Sequence, residues 1–365
     1  MHTPCARAVV GRYSSHPPVL TLLLLVLLCC TAGCLATIPH HSMYGETSQK
    51  NRPTGVVREI PRRGQGAVQA YTTSAAIDSS DSKDNKNFEP IRIKAYTRDL
   101  NDPSKYCTRA GDYCDTPSYN RQYCHHSSVL TVRKRKILVE WSIPAAIKLH
   151  TDRLLVHRAE GIVKLRREDV RGQCGWYNIP EEHYTEGLGD ADLHVYVSAA
   201  ASDSYSREFT CQRLKNHRPI AVAINLEPTS VLATEHHIRT VAHEIAHGLG
   251  FDGTTFAHLK MISAVENDVR GKPHVFLVVS PKAKEVAQKY YNCSKAPGLE
   301  LEDQGNSALS HFEMRNVRGE LMSPKAPGGG SYSALTLAVF DDMPFYKANS
   351  LVRMCYLIVV PRLST

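Results

Sequence analysis

The spacing of apolar and polar positions divides the chain into segments that can contribute to a core and segments that cannot. Residues 19–30, from Val19 to Cys30, form one apolar run, with Arg7 and Arg12 before it and small residues after it up to Ala36. Basic, apolar and small segments in that order describe a secretory signal peptide, residues 1–36, cut after Ala36. Residues 37–87 are rich in Ser, Asp, Lys, Gly and Pro, culminating in the run from Asp78 to Lys86. So polar a stretch buries too little apolar surface to fold by itself and reads as a propeptide and linker. From Ile91 the pattern alternates as a strand, passes through a cysteine-bounded loop, and enters a helix interrupted near Pro144. Asp192 to Val197 alternates as a half-buried strand, whereas Ile220 to Ile224 is apolar throughout and reads as a buried one. Over residues 229–249, Val241, Ile245 and Leu249 recur every fourth position, which predicts a helix with one face in the core, ending at Gly250. Beyond Gly328, Gly329 and Gly330 comes a short helix carrying Leu335, Leu337, Val339 and Phe340. There is no internal repeat.

The helix ending at Gly250 carries the chemistry. Residues 243–250 read His-Glu-Ile-Ala-His-Gly-Leu-Gly. At 3.6 residues per turn, His243 and His247 stand one above the other, so both imidazoles can reach one tetrahedral ion. Glu244 projects beside them, placed to take a proton from a water that the metal has acidified and to pass it to a leaving amine. This combination points to zinc-dependent hydrolysis of a peptide bond, with one Zn2+ per chain and proteins or peptides as substrates.

A third protein ligand is needed. In the long metzincin motif a third histidine follows the second at a fixed spacing, and Gly250 lies where such a protease turns its chain, but the third-histidine position is held by Gly253. The best candidate elsewhere is His311, followed eleven residues later by Met322 in Glu320-Leu321-Met322-Ser323-Pro324. A methionine in a tight turn beneath the metal, the Met-turn, is the other half of the metzincin pattern.

At this point the chain resembles the leishmanolysin family of metzincin zinc endopeptidases, which carry a long insertion between the helix and the third histidine; here His247 and His311 are 64 residues apart. The resemblance takes in Ile91 to Ile93, Asp99 to Pro103, Ile143 to Thr151, Thr185 to Gly187, Val269 to Lys272, Glu302 to Gly305, Tyr332 to Thr336 and Phe345 to Ala348, and covers residues 40–348. It implies an α+β metzincin-type catalytic domain: an N-terminal subdomain over 88–251 with the active-site helix, an inserted subdomain over 252–310, and a third-ligand and Met-turn segment over 311–348. Two departures stand out. Near the place where family members with a cysteine switch keep a propeptide cysteine, this chain has Ser42, whose hydroxyl is a much poorer zinc ligand than a thiolate. The similarity stops after Asn349, so residues 349–365 read as a divergent tail, and the chain as a C-terminally truncated member without the family's cysteine-rich region and anchor signal. Truncation raises a second expectation from another class, an inactive member acting as an adhesive or decoy surface protein.

Composition changes this picture little. Of eleven cysteines, Cys5, Cys29, Cys30 and Cys34 fall in the leader; Cys107, Cys114, Cys124, Cys174, Cys211, Cys293 and Cys355 would meet an oxidising compartment. The family resemblance implies Cys107 with Cys124 and Cys174 with Cys211, leaving Cys293 only Cys355 and Cys114 unpaired. Asn292-Cys293-Ser294 is an N-glycosylation acceptor sequence. The net charge of +8 is moderate and its densest run, Arg133 to Lys136, reads as the solvated side of a helix and not as a nucleic-acid surface. Past the leader no stretch approaches the roughly 18–20 apolar residues of a membrane span. The chain is therefore expected to be secreted, without stable membrane insertion, or held at the cell surface if the leader is kept as an anchor. Adjacent His236 and His237 cannot both face the metal, and His125, His126 and His157 have no partner at ligand spacing.

Overall fold

The computed structural model describes residues 87–202, 206–269, 272–303, 305–324 and 330–349. The expected leader, the propeptide before residue 87 with Ser42, Gly328, Gly329 and the tail from residue 350 with Cys355 lie outside them. Strands β1 (Phe88–Pro90) and β2 (Ile93–Tyr96) are followed by the hairpin of β3 (Tyr113–Asp115) and β4 (Arg121–Tyr123). Helices α1 (Val132–Ile137) and α2 (Ile143–Thr151) lead to β5 (Leu154–His157) and the short α3 (Glu182–Thr185). Then come β6 (Leu193–Ser198), β7 (Arg207–Arg213), β8 (Pro219–Asn225) and the long α4 (Glu235–Leu249). Helix α5 (Gly253–His258), β9 (Ile262–Val269), β10 (Lys272–Val278), α6 (Pro281–Tyr290), β11 (Leu299–Glu300), α7 (Ala334–Asp341) and β12 (Tyr346–Ala348) complete the described chain.

The mixture of helix and sheet is α+β. Its central element is a four-stranded sheet in the order β2-β6-β8-β7, in which β2, β6 and β8 run parallel and β7 lies antiparallel at the edge. Leu193, Val195, Val197, Val222 and Ile224 on one face join Ile143, Ala146 and Leu149 of α2 and Ile238, Val241, Ile245 and Leu249 of α4 in the main core. The opposite face, with Tyr196, Phe209, Cys211, Ala221 and Ala223, packs with Leu165, Trp176, Tyr177 and Leu188. Strands β1, β5 and β12 form a second antiparallel sheet and β9, β10 and β11 a third. From the segment between α4 and His311, Met261, Val278, Ala283, Ala287, Leu299 and Leu301 enter the same main core.

Three local readings need correction. All six residues of β6 are buried, so it is not a half-buried strand. Its alternate polar groups face other protein groups, not water: His194 Nδ1 lies 3.0 Å from the Tyr96 hydroxyl, Tyr196 Oη 2.7 Å from His183 Nδ1, and the Ser198 hydroxyl donates to Asn225 Oδ1 at 2.8 Å. Alternating polarity here marks hydrogen-bonded partners within the fold. The helix near Pro144 is widened, not interrupted: α1 runs through a π-helical turn, Leu138–Ser142, into α2, whose first turn holds Pro144. The Ile143 N–H donates to the Leu138 carbonyl, so the ladder is already shifted where the proline can supply no N–H. Finally, α4 starts at Glu235 and not near 229. Thr234, in extended backbone, accepts the His237 N–H on its hydroxyl at 3.2 Å, and Pro228–Ser230 forms a separate 3-10 turn.

Disulfides join Cys107 to Cys124 and Cys174 to Cys211. The second ties a 3-10 turn, Gly172–Trp176, to β7. Cys293 is a free, exposed thiol and Cys114 a free, buried one, its Sγ 3.4 Å from that of Cys107.

Candidate metal centre

Helix α4 delivers two of the candidate ligands because its sequence fits it tightly to the sheet. From His237 to Leu249 every residue but Arg239 is buried. A Cβ on Gly248 would lie 2.8 Å from Val222 Cγ2, so the bare glycine lets the helix lie directly on β8. Gly250 then ends the helix at φ 109°, a left-handed conformation that suits glycine, with its N–H donating to the His247 carbonyl at 3.2 Å. The turn sends Phe251 into the core, where its ring centroid lies 5.0 Å from that of Phe256 and 4.9 Å from that of Phe312. At Gly253 a Cβ would stand 2.9 Å from Leu309 Cβ, so the position of the long motif's third histidine is closed by the segment that leads to His311.

That segment is bound backbone to backbone. Leu309 N–H donates to the Glu302 carbonyl at 2.7 Å, Glu302 N–H to the His311 carbonyl at 2.9 Å, and Phe312 N–H to the Met322 carbonyl at 2.8 Å. The last bond places the Met322 turn against the residue next to His311. Met322 itself is fully buried in the main core.

These constraints bring His243, His247 and His311 together. The Nε2 atoms of His243 and His247 are 2.9 Å apart and those of His243 and His311 3.2 Å. Each of the three is buried and offers a ligand atom within 4.8 Å of the others. His243 Nδ1 lies 2.7 Å from the Leu321 carbonyl, and His311 Nδ1 lies 3.3 Å from the Ser307 carbonyl and 2.9 Å from Ser310 Oγ. A carbonyl oxygen can only accept, so each Nδ1 carries the hydrogen and each Nε2 presents a lone pair. Two such lone pairs at this separation repel unless a cation lies between them. A proton is a poor cation here, since burial pushes His243 down to about 4. A divalent ion suits the set better: two nitrogens at about 2.05 Å from a tetrahedral zinc would be roughly 3.3 Å apart. The residues present therefore fit zinc. Glu244 follows His243 directly and is fully buried.

Among the described residues the remaining histidines do not join this group; the other cluster of metal-ligand type, Cys107, Cys114 and Cys124, has two of its sulfurs in a disulfide. Sequence reasoning missed several groups around the site. His150 of α2 is fully buried with Nε2 3.1 Å from the carbonyl of Ala242, the residue before His243. Glu208 on β7 is held well above the ordinary carboxylate range by burial, with the charges of Asp252 and Glu244 adding to the effect. Glu320 is buried under the Met322 turn and pushed up to about 7, chiefly by burial. His150 and Glu320 lie inside stretches already singled out, Ile143 to Thr151 and Glu320 to Pro324, but nothing in their spacing marks them as partners of the site, and Glu208 lies in no such stretch. The carbonyls of Leu321 and Ser307 carry no side-chain signal at all.

The family model for leishmanolysin matches residues 38–353. Leishmanolysin of Leishmania major is 37% identical over 271 residues, 72% of this chain and 44% of that protein. A leishmanolysin homolog of Crithidia fasciculata is 30% identical over 373 residues, 95% of this chain and 56% of its own length. A leishmanolysin-like peptidase of Drosophila melanogaster is 23% identical, covering 68% of this chain and 50% of its own length. The chain thus spans about half the length of the curated relatives it matches. With a family model that spans all of the described residues and a relative 30% identical over 95% of this chain, the chain belongs to the leishmanolysin family.

Proposed function

We propose that this chain is a zinc metalloendopeptidase that hydrolyses peptide bonds in proteins. His243, His247 and His311 would hold the metal through Nε2, and Glu244 would act as general base and then general acid. The observation that carries this reading is the convergence of the three imidazoles with the Nδ1 atoms of His243 and His311 committed to carbonyls. Zinc, when bound, supplies a lowered pKa for water and polarises the substrate carbonyl. Three protein ligands leave one position open for that chemistry. The Glu244 carboxylate takes the proton of the attacking water as its oxygen adds to the carbonyl carbon, then delivers it to the amide nitrogen as the C–N bond breaks. Met322 packs within the core beneath the site and is not a ligand in this reading.

Secretion follows from the basic-apolar-small leader, and no helix among the described residues is long and apolar enough to cross a membrane. Asn292, exposed just after α6, is the proposed N-glycosylation site. The test is to secrete the full chain from a eukaryotic host, measure its zinc content, and follow cleavage of a denatured protein with and without a chelator. One zinc per chain and chelator-sensitive cleavage are expected. A folded chain that takes up zinc at the three histidines but cleaves nothing, with or without removal of residues 37–87, would overturn the activity.

A further inference from the structure

Resting on the reading of His243, His247 and His311 as a metal site, we propose that Glu320 is a positioning residue of that centre. It holds the Leu321–Met322 turn in the arrangement that orients the His243 ring. Its Oε2 accepts the Met322 N–H at 2.6 Å, and its Oε1 accepts the Ser333 hydroxyl at 2.9 Å and the Thr336 hydroxyl. One buried carboxyl group therefore binds the turn to the start of α7, where Ser333 also caps the helix by accepting the Leu335 N–H at 3.1 Å.

The backbone around it leaves no slack. Leu321 N–H donates to the Ser331 carbonyl at 3.1 Å and Ser331 N–H to the Gly319 carbonyl at 2.6 Å. A Cβ on Gly330 would stand 2.2 Å from Leu321 Cα, so the two backbones are in direct contact. From this turn one bond reaches each half of the centre. The Leu321 carbonyl accepts His243 Nδ1–H at 2.7 Å, and the Met322 carbonyl accepts the N–H of Phe312, next to His311, at 2.8 Å.

A turn that served only as an apolar floor would gain nothing from a buried acid, whose desolvation is costly unless its oxygens are satisfied. Here its acceptors are used to fix a carbonyl that orients a metal-site histidine. Such outer groups set ring orientation and ligand basicity and are worth about 10–100-fold in metal affinity.

The experiment compares Glu320→Ala with Glu227→Ala in the full chain. Glu227 is a comparably buried carboxylate that accepts the N–H groups of Ser202 at 2.6 Å and Thr229 at 3.2 Å at the end of β8. Thermal stability, the rate of zinc release to a chelator, and the visible spectrum after cobalt(II) replacement are measured. Both variants should lose stability, but only Glu320→Ala should speed zinc release, by about tenfold or more, and alter the cobalt spectrum. Glu320→Gln, whose amide oxygen can still accept the Met322 N–H and whose NH2 can donate to a hydroxyl oxygen, should recover most of both. If Glu320→Ala does not fold, Thr336→Val, which removes one of the carboxyl's anchors, should produce a smaller change of the same kind. Wild-type release rate and spectrum in a folded Glu320→Ala, or in Thr336→Val where that variant stands in, would overturn the proposal. So would equal effects of Glu320→Ala and Glu227→Ala on the metal. A cobalt spectrum that is the same in His311→Ala as in the wild type would instead overturn the metal reading on which the proposal rests.

Discussion

The two halves of the candidate metal centre are built by different means. His243, Glu244 and His247 sit on one continuous helix, so their relative placement is fixed by helical geometry and by the fit of α4 onto β8 at Gly248. His311 sits on an irregular segment held by backbone bonds to Glu302 and by the bond from Phe312 to Met322. The helix half can form wherever the helix forms. The other half exists only when the intervening chain, the Met322 turn and the start of α7 are all assembled, which makes it the half whose precision depends on remote packing.

Perturbing one half at a time would expose this asymmetry. The largest effect is expected in the helix half. Glu244→Gln should retain zinc, since the three imidazoles are untouched, while kcat/KM falls by about 100 to 10,000-fold because an amide cannot accept the water's proton. Zinc content with steady-state kinetics checks this, and near-normal turnover would assign the base elsewhere.

In the segment half, Phe312→Ala should cost about 3–5 kcal/mol of unfolding free energy. Its ring is buried and packs edge-to-face on Phe251 at 4.9 Å, so the cavity would open beside His311. Denaturant unfolding gives the cost. Zinc release should be faster than in Glu244→Gln; equal rates in the two variants would mean that the His311 segment holds its shape without this packing.

A pH experiment probes the support behind α4. Burial holds His150 down at about 3, against an ordinary value of 6.5. A base whose folded pKa is depressed contributes stability that is present above its unfolded pKa and lost as pH falls towards its folded pKa. Between pH 7 and pH 5, in chelator so that metal release does not enter, His150 should remove about 2 kcal/mol. Asp252 and Glu320, each raised to about 7, act in the opposite sense, gaining stability as pH falls through the same window. The wild-type curve is therefore a sum, and the difference between wild type and His150→Gln isolates the histidine. Parallel curves for the two would show that His150 does not titrate against folding.

The smallest effect should come from Met322→Leu. This volume-conserving swap should cost about 1 kcal/mol and leave zinc bound, because the turn acts through its backbone and through packing. Complete loss of zinc with the fold intact would make the sulfur a ligand.

Much of this was legible in the residues alone. Spacing of four along a helix put His243 and His247 on one face, and a left-handed position suited to glycine marked the end at Gly250. The apolar run of β8 fixed a buried strand, and His311 with Met322 stood out by type and order. These are local properties: helical period, backbone freedom and side-chain chemistry are written at the position itself. Tertiary structure decided the rest. The polar residues of β6 are buried because Tyr96, His183 and Asn225 meet them from distant parts of the chain. The tautomers of His243 and His311 are set by the Leu321 and Ser307 carbonyls. Glu320 matters through Met322, Ser333 and Thr336 together. A hydrogen bond needs two groups within about 3 Å, and a single sequence states only one of them.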